Sequence, residues 1–219
     1  MAQITSGFRA ILSLPMIYSA FQHFMGAEKD RDLYVNGFLL PGKGMRVLDI
    51  GCGPADILTR LPDVEYYGFD ISHKYIERAR QRFDGRCAYF SCKHLAPEDL
   101  ADLPRFDRII AIGLLHHLDD DTAMAILRMA SSRLAPGGRM VMLDPCLSED
   151  QNFISRWLVR SDRGQNVRTR LGYEALARAA FSYVHATIRH KTWIPYTHCY
   201  VVCENSEGNC GQIDDTSTD

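Results

Sequence analysis

No run of apolar residues in this 219-residue chain is long enough to cross a bilayer. The best candidate, Ile11-Leu12-Ser13-Leu14-Pro15-Met16-Ile17, falls far short of the roughly twenty residues a spanning helix needs, and no small-residue cleavage pattern follows it. A spanning or secreted protein is not expected. Paired C-x-x-C spacing is absent too: the seven cysteines (Cys52, Cys87, Cys92, Cys146, Cys199, Cys203, Cys210) are odd in number and scattered. That excludes a zinc ribbon and a disulfide framework, so no metal site is expected, and the thiols read as reduced groups in the cytoplasm. Charge of one sign is missing as well, with 25 basic against 27 acidic residues for a net charge of −2. Without a basic field, nucleic acid and anionic membrane surfaces are unlikely partners. There is no internal repeat and no second domain for reading a macromolecule.

What is present is a chain with 46% hydrophobic and 24% charged residues, enough to bury a real core. Mixed three- and four-residue apolar spacing over residues 8–40, as in Ile17, Phe21, Phe24 and Met25, predicts one or two amphipathic helices in an N-terminal segment, 1–40. After Pro41-Gly42-Lys43-Gly44, extended and helical patterns alternate. Strands are expected over 45–50, 65–70, 87–91, 107–113 and 139–144, with helices near Ala55 and over 72–83 and 119–134. Such alternation predicts βαβ units: an α/β, doubly wound, mostly parallel seven-stranded sheet with helices on both faces. Residues 148–171 show no clear period and read as an insertion, followed by a helix over 173–180. Two β-rich runs, 181–190 and 196–204, have no helix between them and predict an antiparallel edge hairpin. The main domain is therefore 41–204, and 205–219 reads as a polar, disordered tail.

Ligands of open α/β sheets bind at the carboxyl ends of the strands, where strand order reverses. The first strand ends in Asp49-Ile50-Gly51-Cys52-Gly53-Pro54-Ala55, whose glycines allow close backbone approach. Asp70 ends the second strand about twenty residues past Asp49, where an acid accepts hydrogen bonds from ribose hydroxyls. The dinucleotide pattern asks for a third glycine where this chain has Asp56, a negative charge unsuited to a pyrophosphate. A nucleoside carrying a cation suits the loop better.

On these residues the chain resembles the class I S-adenosylmethionine (SAM)-dependent methyltransferases of the small-molecule type, over about 40–145. Val47 to Ala55 is similar to their first motif, with Ala55 replacing its last glycine. Phe106-Asp107-Arg108-Ile109-Ile110 with Leu114-Leu115-His116-His117-Leu118 resembles their fourth-strand segment, and Leu134-Ala135-Pro136-Gly137-Gly138 the turn before the fifth strand. The resemblance implies SAM as cofactor, with S-adenosylhomocysteine as product. It implies cofactor contacts from Asp49, Gly51, Cys52, Gly53, Asp70, Ile71, Gly113 and Leu114. Cys92-Lys93-His94-Leu95 departs from the family where an adenine-contacting aspartate is usual. His94 then either meets the base edge, with Leu95 beside it, or lies in solvent.

A substrate lid is implied from the N-terminal helices and the 148–171 insertion. Tyr18 and Gln22, four residues apart, share a helical face that either reaches the cofactor or packs. Between Arg156 and Arg170 five arginines stand against the single acid Asp162, so an anionic small-molecule substrate is expected, with Arg163 and Arg168 as contacts beside Tyr196. Methyl transfer to a hydroxyl needs a base, and His117 and His198 are the expected catalytic residues. O-methylation is the leading reading. The alternatives are RNA or protein as acceptor, or a SAM-binding partner protein without turnover. The oligomeric state has no sequence signal.

Overall fold

In a computed structural model, the described residues are 27–96, 99, 103–151, 153–160, 166–190 and 196–205. They form a sheet of strands β1 (Arg46–Ile50), β2 (Glu65–Asp70), β3 (Ala88–Cys92), β4 (Phe106–Ile112), β5 (Leu134–Leu147), β6 (Arg168–Thr169), β7 (Tyr183–His190) and β8 (Thr197–Glu204). The main path runs β3-β2-β1-β4-β5-β8-β7, and β6 pairs with the end of β5. Pairing is parallel from β3 through β5. It is antiparallel where β8 meets β5 and β7. Strand order reverses between β1 and β4, and that is where the crevice of a doubly wound sheet opens.

The central strands are apolar on both faces because both are covered. Leu48, Ile109, Met140 and Val201 point to one side, where Leu127 and Ala130 of α3 (Asp120–Arg133) and Tyr173 and Ala177 of α5 (Arg170–Arg178) meet them. Their strand neighbours Val47, Ile110, Val141 and Val202 point to the other. There they meet Ile76 and Ala79 of α2 (His73–Arg82), and Tyr34, Phe38 and Leu39. Each of these three helices starts at a residue whose side chain accepts a backbone N–H of the first turn: Ser72 from Tyr75, Asp119 from Thr122 and Thr169 from Gly172.

The chain enters through α1 (Ala27–Leu33) and a π-helical turn, Tyr34–Leu39, which ends at Leu40 in the left-handed region (φ 49°) just before Pro41. The expected helices before residue 27 lie outside the described residues. Reciprocal ion pairs, Arg31 to Asp56 at 3.2 Å and Arg60 to Asp32 at 3.4 Å, dock α1 onto the segment after β1.

That segment corrects one expectation. No full helix begins near Ala55; the chain makes a single 3-10 turn, Asp56–Arg60, because it must reach β2 at Glu65. A second correction concerns the insertion, which holds an eight-residue helix, α4 (Phe153–Arg160), whose Ser155 and Val159 face inward. Two turns are too short to register as a period in a window of helical length. The hairpin is present as β7 and β8, its connection lying outside the described residues. Asn205 is fastened to α3 through Ser131, its amide donating to the Ser131 carbonyl at 3.1 Å. The rest of the expected tail is outside the described residues.

Candidate active site

Backbone geometry at the end of β1 is what glycine allows. Gly51 and Gly53 have φ of 76° and 54°, and the N–H groups of Gly51 and Cys52 both donate to the Phe69 carbonyl, folding the loop over β2. A Cβ on Gly51 would also lie 3.2 Å from Leu114, so the loops after β1 and β4 close on each other there. Gly113 (φ 63°) carries the β4 loop away, its N–H donating to the Leu143 carbonyl at 2.7 Å.

Asp70 ties the loop to the next helix. One carboxylate oxygen accepts the Gly53 N–H at 2.9 Å and the other the Ser72 N–H at 2.7 Å. Beside it, Ile71 is 62% exposed, an apolar surface with nothing over it among the described residues. Asp56 belongs elsewhere: Arg31 and Arg82 both bond its carboxylate. The case against a pyrophosphate therefore rests on the missing glycine and the missing helix N-terminus rather than on that charge.

Asp49 lies beneath the loop and is 3% exposed. Its hydrogen-bond partner among the described residues is the Tyr66 phenol, which donates at 2.5 Å. Burial pushes its carboxyl up to about 7, helped by the charge of Asp70 and opposed by the Tyr66 bond. Burial likewise pushes the neighbouring Cys52 thiol up.

Across the crevice, at the ends of β4 and β5, is a pair that sequence reasoning missed. His116 is 5% and Asp144 2% exposed. Asp144 Oδ1 meets His116 Nδ1 at 2.7 Å and accepts the His116 backbone N–H at 3.1 Å. Asp144 Oδ2 is buried without a partner among the described residues. Burial raises the Asp144 carboxyl while the bonds from His116 oppose the rise. With the Nδ1 proton held by Asp144, Nε2 is the ring's basic nitrogen, an assignment made from the hydrogen-bond pattern. His117, the histidine expected to act, is exposed, its ring centroid 3.9 Å from that of His116. The two adjacent rings lie against each other on the 3-10 turn, one buried and one exposed, and spacing alone does not say which is the inner one. The available signal was Asp144 itself, an acid closing an otherwise apolar strand.

Arg168 holds this turn in place. Its guanidinium donates to the carbonyls of Leu115 (2.8 Å), Leu118 (2.8 Å) and Asn166 (3.1 Å) and to the Asp120 carboxylate (2.7 Å). With Nε also on Asp120, all five N–H donors are occupied by the protein itself. Arg170 pairs with Glu174, and Arg156 donates to the carbonyls of Ser148 and Glu149. Arg163 and Tyr18 lie outside the described residues.

The remaining expected contacts are spread out. His94 is exposed, and Leu95 packs against the sheet's first apolar face. His198 is half-buried on β8, opposite Pro145 and Arg189, with the Tyr196 ring 5.0 Å away. Strand alternation turns His198 toward the side of Tyr200 and Val202, whereas Asp144 shares the side of Met142 and Cys146. The two histidines His116 and His198 are therefore not brought together. Among the described residues no three of His, Cys, Asp and Glu form a metal-sized group.

Comparison with known proteins agrees with this fold. Residues 48–140 match the model of a methyltransferase domain. An O-methyltransferase of Penicillium expansum is 32% identical over 158 residues, covering 63% of this chain and 55% of that protein. The 27-O-demethylrifamycin SV methyltransferase of Amycolatopsis mediterranei is 35% identical over 120 residues, covering 49% of this chain and 41% of that protein. This chain thus spans about half, or less, of the length of these relatives. In fold it is similar to the plantazolicin methyltransferase BamL solved with S-adenosylhomocysteine, with a TM-score of 0.63 at 15% identity over 89% of this chain and 93% of that one. Glycine loop, strand-end acid, sheet order and these similarities together give residues 48–140 the likeness of a methyltransferase domain, and the cofactor of that chemistry is S-adenosylmethionine.

Proposed function

We propose that this protein transfers a methyl group from SAM to a hydroxyl oxygen of a small molecule. The observation that carries the oxygen acceptor is the His116–Asp144 pair, a buried imidazole oriented by a carboxylate at the strand ends facing the cofactor loop. The O-methyltransferase named among its relatives supports the same chemistry.

The residues present fit SAM. Gly51, Cys52, Gly53, Gly113 and Leu114 shape a cradle of backbone, Asp70 offers carboxylate oxygens to ribose hydroxyls, and exposed Ile71 offers an apolar face to the adenine, with His94 and Leu95 beyond it. When bound, SAM supplies an electrophilic methyl on a sulfonium. The protein's part is alignment and proton handling. His116 Nε2 takes the hydroxyl proton, Asp144 stabilises the imidazolium through Nδ1, and the turn held by Arg168 keeps the ring in register.

An anionic acceptor finds Arg156, Arg168 and Arg170 already engaged, so charge recognition falls to Arg163 and polar contact to Tyr196. Residues 1–40 and 148–171 serve as the lid in this reading. The cytoplasm is its compartment, supported by six described cysteines that are all free thiols and by the absence, among the described residues, of a helix able to cross a membrane. Incubating the protein with labelled SAM and a cellular metabolite pool tests the proposal. A labelled methyl ether identified by mass is expected; label found only in RNA or protein, or no S-adenosylhomocysteine formed from any pool, overturns it.

A further inference from the structure

Asp49 is a carboxylate buried, among the described residues, without a cation. Among the described residues, every titratable group facing it is neutral or acidic: Tyr66 and Asp70 from β2, Cys52 from the loop, and Tyr34 from the π-helical turn. Among the described residues Tyr66 alone donates to it, and the Tyr34 hydroxyl is turned away to the Val141 carbonyl at 2.7 Å. One neutral donor does not compensate the burial of a full negative charge. Asp70 differs sharply, with two backbone N–H groups on its oxygens. Only one residue, Ile50, separates Asp49 from Gly51, which places it directly under the loop proposed to cradle the cofactor. A cation that arrives with a ligand would complete it.

SAM and S-adenosylhomocysteine differ in that respect. Both carry an ammonium and a carboxylate, but only SAM carries the sulfonium, so one has a net charge of +1 and the other none. We infer that Asp49 distinguishes cofactor from product by charge, giving up its proton more readily while SAM occupies the loop than while S-adenosylhomocysteine does. The inference rests on the SAM assignment and adds a proton cycle to it. Binding of SAM releases the Asp49 proton to solvent; loss of the sulfonium charge on methyl transfer lets Asp49 take a proton back. No redox change or further reactant is involved. Because SAM gains from the ionised carboxylate and the product does not, exchange of spent cofactor for fresh SAM is favoured as pH rises.

The sign of the pH dependence follows by linkage. An opposite charge lowers the proton affinity of Asp49, so SAM binds more tightly as pH rises, while a neutral product gains nothing. Titration calorimetry of the full chain with SAM and with S-adenosylhomocysteine reads this directly. The preference for SAM over product is expected to rise about tenfold between pH 6 and pH 8, the effect of about one unit of proton affinity. Repeating the titrations near pH 7 in buffers of different ionisation enthalpy should show proton release with SAM and none with product. In Asp49→Asn the preference becomes flat with pH. Tyr66→Phe, which removes the donor that favours the ionised form, moves the rise to higher pH. A flat preference in wild-type protein that binds SAM, or an unchanged slope in folded Asp49→Asn, overturns the inference. If neither ligand binds at any pH, the cofactor assignment itself falls and the inference with it.

Discussion

The carboxyl ends of β1 and β5 each bury one aspartate to nearly the same depth, Asp49 at 3% and Asp144 at 2% exposure, and give it different company. Asp49 receives a neutral phenol. Asp144 receives an imidazole and a backbone N–H from the same residue. Burial raises both carboxyls. The partner decides what the burial can be for: at β5 the carboxylate orients the imidazole proposed as the base, and at β1 it has, among the described residues, no cation beside it under the loop proposed to hold a cationic cofactor.

The largest expected effect tests the β5 side. His116→Ala should lower the single-turnover methylation rate about a hundredfold or more, the usual range for a lost general base, with SAM affinity changed no more than a few-fold. His117→Ala, on the exposed neighbour, should leave that rate within a few-fold. The opposite ranking, in two variants shown to be folded, would return the catalytic role to His117 and reduce the His116–Asp144 bond to a fastening of the turn.

Next in size is a test of the β1 and β2 side. Asp70→Ala should weaken SAM binding by about 1.5–3 kcal/mol, the scale of hydrogen bonds to a charged acceptor. A lower melting temperature should accompany it, since the same carboxylate holds the Gly53 and Ser72 N–H groups. Unchanged affinity by calorimetry in a folded variant would remove Asp70 from the cofactor site.

The two sides also differ in how far they could be read from the chain alone. Strand, glycine turn and acid are local in sequence, and Gly51, Gly53 and Asp70 are close together in the structure, bonded as a unit. The strands from β1 to β4 and the closing hairpin follow the expected order because alternation and turn residues are local signals too. The catalytic side depends on contacts between distant segments. His116 and Asp144 are 28 residues apart, and Arg168, expected to bind substrate, spends every donor 48 to 53 residues back on the turn after β4 and on Asn166. A count of arginines carries no information about which are already bonded. The segment after Ala55 differs from expectation for a local reason: a helix is expected to follow the glycine turn, but only four residues, 61–64, lie between the 3-10 turn and β2.

A smaller effect separates the aspartates by stability. Asp49 folded has a proton affinity raised to about 7, above its unfolded value near 4, so the folded state holds more protons between those limits and its stability falls as pH rises through that window. Asp49→Asn removes the titration. The ligand-free variant should melt at a higher temperature than wild type at pH 8, with the gap closing toward pH 4. A variant less stable than wild type at pH 8 would mean that the Tyr66 bond to the ionised carboxylate outweighs the burial it opposes.

The smallest effect concerns Ala55, where the family's first motif ordinarily has glycine. Ala55 is fully buried and has φ 55° and ψ 39°, in the left-handed region. An L-residue with a Cβ costs about 1–2 kcal/mol there, and glycine does not. Glycine adds back about 0.4–1 kcal/mol of unfolded-chain entropy, so Ala55→Gly should stabilise the protein by only about 0.5–1 kcal/mol if the methyl packs poorly. That methyl is buried among Cys52, Ile57 and Leu58 in the apolar face beneath the loop, and losing it works in the other direction. The conformational term is the larger because it acts on the backbone itself, whose N–H is tied to the Cys52 carbonyl at 2.9 Å. Thermal unfolding of the two proteins decides the sign, and SAM affinity measured alongside should stay within a few-fold. A lower melting temperature for Ala55→Gly would show that the methyl's packing outweighs the strain, and that this chain has rebuilt the loop's underside around alanine.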